Sequence, residues 1–356
     1  MNNNRYNVHA FIKWREVNGI AKRIDVAKLA GVSEATVSRV FNNVKPLRNE
    51  TKQKVLEAAA KLNYQPNSIA QSFATGKSGN IGVIIPYLPK VHLLSTHYFS
   101  EILSGIGTKL GANNYNLLLM FQSPNERMDY TQLFHSQKVD GCIILGSRDV
   151  PGEREEIKKL HQLKLPYCLV NQTFPDLRFN TIDATHYEGS LETVSFLLEK
   201  GFENIAFLNG PDEYSNSVER LKGYKDAFLQ SGRTVNHKWI FQGNYSRTSG
   251  FEMALPIGAI LPELDAIFVA NDRMAAGLMQ GLSKQGYEVG KDYALVGYDD
   301  SDIARMIQPQ LTSVSVPLFE MGKMAAEKIL NALIKGKSTS FHERLSVTLI
   351  KRASTE

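Results

Sequence analysis

Apolar residues near the N-terminus of the chain recur at the spacing of α-helices. Two sets lie on either side of Gly31: Val26, Ala27 and Ala30, then Val37, Val40 and Phe41. Ser33 is well placed as the N-cap of the second helix, which we expect to run from about Glu34 to Asn42. A third helix, from about Glu50 to Leu62, would add to the same core Val55, Leu56, Ala59 and Leu62. The pattern predicts two short helices joined by a tight turn and followed by a third, which is a helix-turn-helix.

After Asn80 the pattern changes to short apolar runs that alternate with helical stretches. The runs are IGVIIP, YNLLLMF, VDGCIILG, YCLVN, NIAFLNG, AIFVAND and ALVGYDD. Such alternation is typical of an α/β domain with parallel strands. Roughly 270 residues is large for one open sheet, and two similar strand-helix series lie near residues 81–183 and 184–315. We therefore expect two α/β lobes with a ligand cleft between them.

Charge divides the 356-residue chain in the same way. Residues 1–79 contain 13 Lys and Arg against 5 Asp and Glu, whereas residues 80–356 contain 28 against 31. A basic module ahead of a slightly acidic body suggests a polyanion partner for the module alone. A solvated basic surface accounts for the same numbers, so charge by itself does not decide between the two.

Several classes of protein fit the sequence poorly. No stretch approaches the ~20 apolar residues that a membrane span needs. The first 20 residues lack the uninterrupted apolar stretch of a signal peptide, so we expect the protein to stay in the cytoplasm. Cys142 and Cys168 each lie inside an apolar run, which favours buried reduced thiols over a disulfide or a metal site. We expect neither a metal nor a cofactor.

The second helix would present short polar side chains on its outer face. With Val37, Val40 and Phe41 turned inward, the outward residues are Glu34, Ala35, Thr36, Ser38, Arg39 and Asn42. Side chains of this size allow a helix to enter the major groove of DNA. The alternative is an ordinary three-helix bundle whose outer face meets only water. The next segment, NYQPNSIAQSFATGKSGN, contains a helix-compatible stretch too short to be stable alone, which suggests folding coupled to binding.

The motifs IDVAKLAGVSEATVSRVFN and NYQPNSIAQSF resemble the headpiece and hinge of the LacI/GalR family of bacterial transcriptional repressors. The resemblance extends from about residue 22 to Ser354. It implies an all-α helix-turn-helix headpiece followed by a two-lobed, periplasmic-binding-protein-like, doubly wound α/β effector domain. We expect an N-terminal extension at 1–21, the DNA-binding domain at 22–65, a hinge helix and linker at 66–80, and the effector-binding and dimerisation domain at 81–356.

The resemblance also assigns residues to DNA. It implies that Glu34, Ala35 and Arg39 meet base edges, and that the backbone is held by Thr36, Ser38 and Asn42, with Ser33 and Asn67 also at the DNA. Arg39 can bond guanine bidentately. Phe73 stands where the family usually has a leucine wedge in the minor groove; an aromatic ring can also part a base step. Leu47-Arg48 replaces the usual Val-Ser before the third helix, so that a cation takes the place of a hydroxyl cap.

Residues that suit sugar binding lie at or after the predicted strands: Asn171, Arg220, Tyr245 and Asp272. Amide, guanidinium and carboxylate groups bind vicinal hydroxyls, and an aromatic ring covers the apolar face of a sugar. The resemblance implies the same roles for Arg220, Asp272 and Tyr245, and adds the aromatic pair Tyr98-Phe99. Alternatives remain: Asp272 as a helix cap, Asn171 as a turn residue, and Arg220 in an interlobe salt bridge.

Enzyme signatures are weak. GIGTKLG at 105–111 belongs inside a helix, and TGKS at 75–78 lacks the earlier glycine of a phosphate loop. No catalytic constellation can be defended. We therefore expect a homodimeric repressor that binds an inverted-repeat operator under the control of a small molecule, most simply a sugar. The alternatives are a secreted sugar-binding protein and a cytoplasmic sugar-binding or sugar-modifying protein with an appended DNA-binding domain.

Overall fold

The computed structural model describes residues 21–42, 44, 46–65, 76–86, 94, 96–123, 129–336 and 340–356. The chain divides into two compact units, of which one ends at Ser78 and the other spans Gly79–Glu356. The predictions made for residues 1–20, for Asn67 and for Phe73 lie outside the described residues. Within the described part, no helix is both long enough and apolar enough to cross a membrane.

The described residues of the first unit form three helices: α1 (Arg23–Ala30), α2 (Glu34–Phe41) and α3 (Asn49–Lys61). Gly31 ends α1 with a left-handed φ of 69°, a conformation that glycine adopts without steric cost. The predicted N-cap is confirmed, because the Ser33 hydroxyl accepts a hydrogen bond from the Thr36 backbone N–H at 3.2 Å. The expected tight turn between α1 and α2 therefore follows from one glycine and one serine.

The core of the first unit differs from the prediction at one residue. Val26, Val37 and Val55 are fully buried, as expected. Leu56, which we placed in the core, is 42% exposed, and Ala58 is buried instead. Helical residues at i, i+3 and i+4 share a face, whereas the residue at i+1 is rotated by about 100°. Once Val55 faces inward, Leu56 therefore turns toward solvent.

The second unit contains two six-stranded sheets among its described residues. The first sheet takes five strands from the first lobe: β1 (Asn80–Pro86), β2 (Asn116–Gln122), β3 (Gly141–Leu145), β4 (Tyr167–Val170) and β5 (Thr181–Ala184). The second takes β6 (Ile205–Asn209), β7 (Ile240–Gln242), β8 (Ala266–Val269), β9 (Ala294–Asp299) and β10 (Thr312–Ser315). The last two strands, β11 (His342–Leu345) and β12 (Thr348–Ile350), join the first and second sheets respectively.

The strand orders are β11-β5-β4-β3-β1-β2 and β12-β10-β9-β8-β6-β7. The pairs are parallel except for β10 with β12, which is antiparallel. The helices of the first lobe are α4 (His97–Gly111), α5 (Tyr130–His135), α6 (Pro151–Gln162) and α12 (Leu318–Lys335). Those of the second are α7 (His186–Glu199), α8 (Ser215–Gln230), α9 (Arg247–Ile260), α10 (Asp272–Ser283) and α11 (Asp302–Met306). The predicted α/β fold is confirmed.

The chain passes between the lobes three times: after β5, after β10 and after β11. The first two crossings fall at the divisions that the sequence predicted, near residues 184 and 315. Thr185, in the first crossing, donates its backbone N–H to the Leu345 carbonyl at 2.9 Å, and its hydroxyl accepts from the Val347 N–H at 3.1 Å. The first and third crossings are therefore hydrogen-bonded to each other.

The two cysteines lie in the first lobe. Cys142 and Cys168 are free and fully buried, and burial raises the pKa of both thiols.

The segment GIGTKLG lies inside α4, as predicted. A Cβ on Gly105 would lie 2.0 Å from the Phe319 carbonyl oxygen of α12, whereas a Cβ on Gly107 would meet open space.

These two glycines provide a matched test of the packing between α4 and α12. We expect Gly105→Ala to lower the free energy of unfolding by about 1–3 kcal/mol, because the helices must separate to admit the methyl group. Gly107→Ala should raise it by about 0.5–1 kcal/mol, because alanine favours the helix. Chemical denaturation of both variants measures these changes. Equal effects of the two substitutions would contradict the close approach.

Candidate effector pocket and nucleic-acid interface

The outer face of α2 carries the residues that the sequence placed there. Ala35 and Arg39 are exposed, and Thr36 and Ser38 are partly exposed. Within the described residues, the polar contacts of this face are local: Arg39 donates to the Pro46 carbonyl at 3.2 Å, Thr36 Oγ1 lies 2.9 Å from Ser33 Oγ, and Asn42 Nδ2 donates to Ser38 Oγ at 3.3 Å. None of these bonds is buried, so the face is free to exchange them for contacts with a ligand.

Two charged residues near this face contribute little to the stability of the first unit. Glu34 pairs with Arg23 at 3.0 Å, with both side chains more than 40% exposed. An exposed ion pair contributes at most about 1 kcal/mol to stability. Arg48 occupies the N-cap of α3 without a side-chain hydrogen bond to the helix. Its guanidinium therefore replaces the hydroxyl cap without capping the helix.

The pocket of the second unit lies at the carboxyl ends of the parallel strands. Four non-glycine residues there adopt positive φ values: Asn171 after β4 at 62°, Tyr245 after β7 at 66°, Asp299 at the end of β9 at 98°, and Asp300 next to it at 51°. Such conformations cost free energy in ordinary residues, and they concentrate at functional sites. Asn171 belongs to the first lobe, whereas Tyr245 and Asp299 belong to the second.

Arg220 of α8 is 3% exposed and interacts electrostatically with Tyr245 and Asp299. Its guanidinium stacks on the Tyr298 ring at 3.8 Å and donates through Nη1 to the Ala270 carbonyl at 2.8 Å. Its Nε is buried without a hydrogen-bond partner among the described residues. A buried, unpaired guanidinium donor is costly. The geometry therefore leaves one donor for a ligand.

The alternative of an interlobe salt bridge through Arg220 is wrong. Among the described residues, no carboxylate lies within salt-bridge distance of Arg220. The arginine that does bridge the lobes is Arg344 of β11, which contacts Asp183 at 3.6 Å and is hydrogen-bonded to Glu219. Arg344, rather than Arg220, therefore offsets the charge of Asp183 and Glu219 beside the first crossing. Arg220 remains available to the candidate pocket.

His186, a residue that the sequence analysis missed, connects Arg220 to the first lobe. Its Nε2 lies 2.5 Å from Asn171 Oδ1, and its Nδ1 lies 3.2 Å from the Tyr298 hydroxyl and 3.3 Å from Arg220 Nη2. Burial, and then the charge of Arg220, holds the pKa of His186 well below its usual value. The ring is therefore neutral, donates from Nε2 to Asn171, and accepts at Nδ1.

Asn171 does more than tie a turn. Besides the bond to His186, its side chain acts on Tyr98: burial raises the pKa of the Tyr98 hydroxyl, and Asn171 opposes that rise. Tyr98 and Phe99, at the start of α4, pack edge to face with ring centroids 5.0 Å apart. Asn171 of the first lobe therefore contacts His186 of the second lobe, and Tyr98 lies within electrostatic range of Arg220.

Tyr245 supplies an aromatic wall on the second lobe. Its hydroxyl donates to Asn216 Oδ1 at 2.8 Å and is hydrogen-bonded to Ser217. A Cβ on Gly210 would lie 2.1 Å from the Tyr245 ring, so that only glycine allows the ring to take this position. Asn209, at the end of β6, has a buried Oδ1 without a partner among the described residues. This oxygen provides a second unsatisfied polar atom near the tyrosine.

Asp272 is held by hydrogen bonds from two serines. It is 1% exposed, and its two oxygens accept from Ser301 N–H at 2.7 Å, Ser301 Oγ at 2.8 Å and Ser313 Oγ at 2.6 Å. Burial raises its pKa to about 6. The alternative of Asp272 as the helix cap is wrong, because Asn271 caps α10 through its bond from the Met274 N–H at 2.9 Å.

Asp299 is a second carboxyl group at this edge of the sheet, which the sequence analysis did not single out. It is partly exposed, and the described part of the chain offers its carboxyl group no hydrogen-bond partner. Burial raises the pKa of Asp299 to about 8, against the opposing charge of Arg220. The signal was present in the run ALVGYDD, because Asp299 stands at the carboxyl end of a strand as Asn171 and Asp272 do.

The two lobes also touch beside the pocket. The Asp149 N–H donates to the Glu213 carbonyl at 2.8 Å, and Gln172 Oε1 accepts from the Ser215 N–H at 3.0 Å. The Thr173 N–H donates to Ser215 Oγ at 2.9 Å. These bonds join the loops after β3 and β4 to the start of α8, so the lobes are closed against each other on this side.

Comparison with known proteins supports both units. Residues 24–67 match the model of bacterial regulatory proteins of the lacI family, and residues 194–355 match that of the periplasmic binding protein-like domain. Catabolite control protein A of Priestia megaterium is 30% identical over 335 residues, which cover 93% of this chain and 98% of that protein. The chain belongs to the LacI family. The HTH-type transcriptional repressor PurR of Vibrio campbellii is 30% identical over 311 residues, which cover 87% of this chain and 91% of that protein.

Solved structures of LacI-family regulators share the fold. The lac repressor dimer bound to operator and the anti-inducer ONPF is 27% identical with a TM-score of 0.81, covering 94% of this chain and 99% of that chain. The complex of the transcriptional regulator CelR with cellobiose is 25% identical with a TM-score of 0.71 and the same coverage. The predicted LacI-family fold, in which a helical headpiece precedes a two-lobed periplasmic-binding-protein-like domain, is thereby confirmed.

Proposed function

We propose that this protein is a transcriptional repressor that binds an inverted-repeat operator as a homodimer and is controlled by a sugar in the cleft between its lobes. The main observation behind the proposal is a cluster of polar and aromatic residues from both lobes beside polar atoms that lack hydrogen-bond partners. The cluster consists of Asn171, Arg220, Tyr245 and Asp299. Of the two solved relatives described above, one is bound to operator and ONPF and the other to cellobiose. The exposed face of α2 provides the surface that would bind operator DNA.

The pocket chemistry supports a sugar. Arg220 Nε and Asn209 Oδ1 are one donor and one acceptor that lack partners among the described residues. Asp299 can accept from hydroxyl groups, and the rings of Tyr98 and Tyr245 can cover apolar sugar faces. We propose that Asp299, rather than Asp272, contacts the effector directly. Asp272 then acts by fixing Ser301 and Ser313 beneath Asp299.

We also propose that the ligand is bound without turnover, in the cytoplasm where operator DNA lies. The relatives named above are regulators of transcription. His186, the one histidine beside Arg220 in the described pocket, uses both ring nitrogens to hold its neighbours. A sugar-modifying protein with an appended DNA-binding domain would instead release product, which chromatography of an incubated ligand would detect.

Selection of DNA sequences by the purified protein tests the proposal. Helix-turn-helix dimers read two half-sites whose symmetry mirrors that of the protein. We expect selected sites to be inverted repeats, each bound by two chains. Binding of one chain to one half-site with unchanged affinity would contradict the proposal.

Arg39→Ala should weaken binding to the selected operator by about 1–3 kcal/mol and relax base preference at one position in each half-site. The reason is that an exposed guanidinium on α2 can bond a base edge bidentately. Repeating the selection with the variant measures both effects. Arg178→Ala, at an exposed site in the second unit, serves as the control. An equal loss of affinity for all sequences would show that Arg39 contacts only phosphate.

A further inference from the structure

Two arginines stand out from the others that the structure describes. Most of the others form hydrogen bonds or ion pairs, and the two that do not, Arg48 and Arg178, are exposed. Arg148 and Arg273 are partly buried, yet neither has a hydrogen-bond or ion-pair partner in the described part of the chain. A partly desolvated guanidinium without an acceptor is unfavourable, and an anion relieves that cost.

Both arginines lie at the carboxyl ends of strands, on opposite lobes. Arg148 follows β3 and acts electrostatically on Tyr214, whose ring packs edge-on against Tyr245 at 5.9 Å. Arg273 is the second residue of α10 and acts electrostatically on Asp299. Tyr245 and Asp299 belong to the pocket proposed above. The two cations therefore flank the same cleft.

The acids around the cleft do not balance these cations. Three of these acids form ion pairs with other arginines: Asp149 with Arg154, Asp300 with Arg305 and Arg352, and Glu219 with Arg344. Asp212 and Glu213 are exposed to solvent. Burial raises the pKa of Asp299 to about 8, so its carboxyl group is largely protonated at neutral pH. Glu153 interacts electrostatically with Arg148 but is hydrogen-bonded to the Tyr130 hydroxyl at 2.7 Å. With Arg220, the cleft thus holds three guanidinium groups, none of which forms an ion pair with a carboxylate in the described part of the chain.

We propose that the effector is an anionic sugar derivative, bearing a carboxylate or a phosphate, and that Arg148 and Arg273 supply the charge that selects it over the neutral parent sugar. This inference rests on the proposed sugar-binding function. Guanidinium groups bind carboxylate and phosphate oxygens through strong, charge-assisted hydrogen bonds. Arg148 acts from the first lobe and Arg273 from the second, so the anion also favours closure of the lobes.

Calorimetric titration of the full-length protein with matched sugars tests the proposal. The panel contains glucose, glucuronate and glucose 6-phosphate, with the corresponding galactose, mannose and fructose series. We expect an acidic member to bind at least tenfold more tightly than its neutral parent, and the preference to shrink as salt rises. The carboxylate and phosphate arms distinguish the two sources of charge.

Variants assign the preference to the two arginines. Arg148→Gln and Arg273→Gln should each reduce affinity for the preferred acid about tenfold and leave affinity for the neutral parent within twofold, and the double variant should lose the preference. Arg178→Gln should match the wild type. A neutral sugar that binds as tightly as its acid, or an undiminished preference in the double variant, would overturn the inference but leave the sugar-binding function standing. Failure of every neutral and acidic sugar to bind would overturn both.

Discussion

Arg220→Ala is expected to weaken effector binding by about 2–5 kcal/mol and thereby to abolish the response of operator binding to the effector. The reason is the position of the guanidinium, which stacks on Tyr298, bonds the Ala270 carbonyl and keeps Nε free for a ligand. Removal of the side chain also leaves His186 without one of its partners. Titration of the effector into each protein, followed by operator binding with and without effector, measures both effects.

Lys222→Ala provides the matched control, because Lys222 lies two residues further along α8 and is exposed. This control should bind effector and operator as the wild type does. Thermal unfolding of Arg220→Ala separates loss of the pocket from loss of the fold. A folded Arg220→Ala protein that binds the effector with wild-type affinity would show that the pocket lies elsewhere.

Arg344→Met should lower the free energy of unfolding by about 2–3 kcal/mol at pH 8, because it leaves Asp183 and Glu219 without their cation. This value lies below that for a fully buried pair, since the Arg344 side chain is 31% exposed. Burial, and then the charge of Glu219, raise the pKa of Asp183 to about 7 against the opposing charge of Arg344. Without Arg344, that pKa should rise again.

The direction of the pH dependence follows from these pKa values. In the wild type, folded Asp183 keeps a proton that the unfolded chain loses above about pH 4, so its contribution to stability falls as pH rises to about 7 and then levels off. In Arg344→Met the fall should continue above pH 7. Chemical denaturation between pH 5 and 9 measures the two profiles. Adding Asp183→Asn should remove the extra fall, and an unchanged slope in that double variant would exclude Asp183 as its source.

Local signals were sufficient for the headpiece. The cap at Ser33, the turn at Gly31 and the helical spacing of the valines predicted α2 to within one residue of its observed end. The same signals misplaced Leu56, because periodicity alone allowed a core stripe one residue wider than the packed helices use. The outer face of α2 followed from which residues faced inward.

The pocket could be predicted only in part. The strand runs predicted that Asn171 and Tyr245 lie at the carboxyl ends of the sheets, since parallel strands align those ends. The strand pattern could not predict the hydrogen-bond partners of Asp272 and Asp299. Ser301 and Ser313 take up the oxygens of Asp272, and these contacts join segments that are distant in sequence.

Some residues contact partners that are distant in sequence, and no local sequence pattern predicted these contacts. His186 gains its role from Asn171 and Tyr298, which lie 15 and 112 residues away. Arg344 reaches Asp183 only because β11 returns to the first sheet beside β5. A histidine or an arginine in isolation predicts neither contact, because topology rather than spacing places the partners together.

The central claim is that effector binding between the lobes controls operator binding. Linkage requires that the effector change operator affinity by the same factor as the operator changes effector affinity. The most direct test is therefore to titrate operator with and without saturating effector, and effector with and without saturating operator, using the full-length protein. We predict equal factors of about 5- to 150-fold in the two directions. Operator affinity that stays the same at saturating effector would contradict the claim.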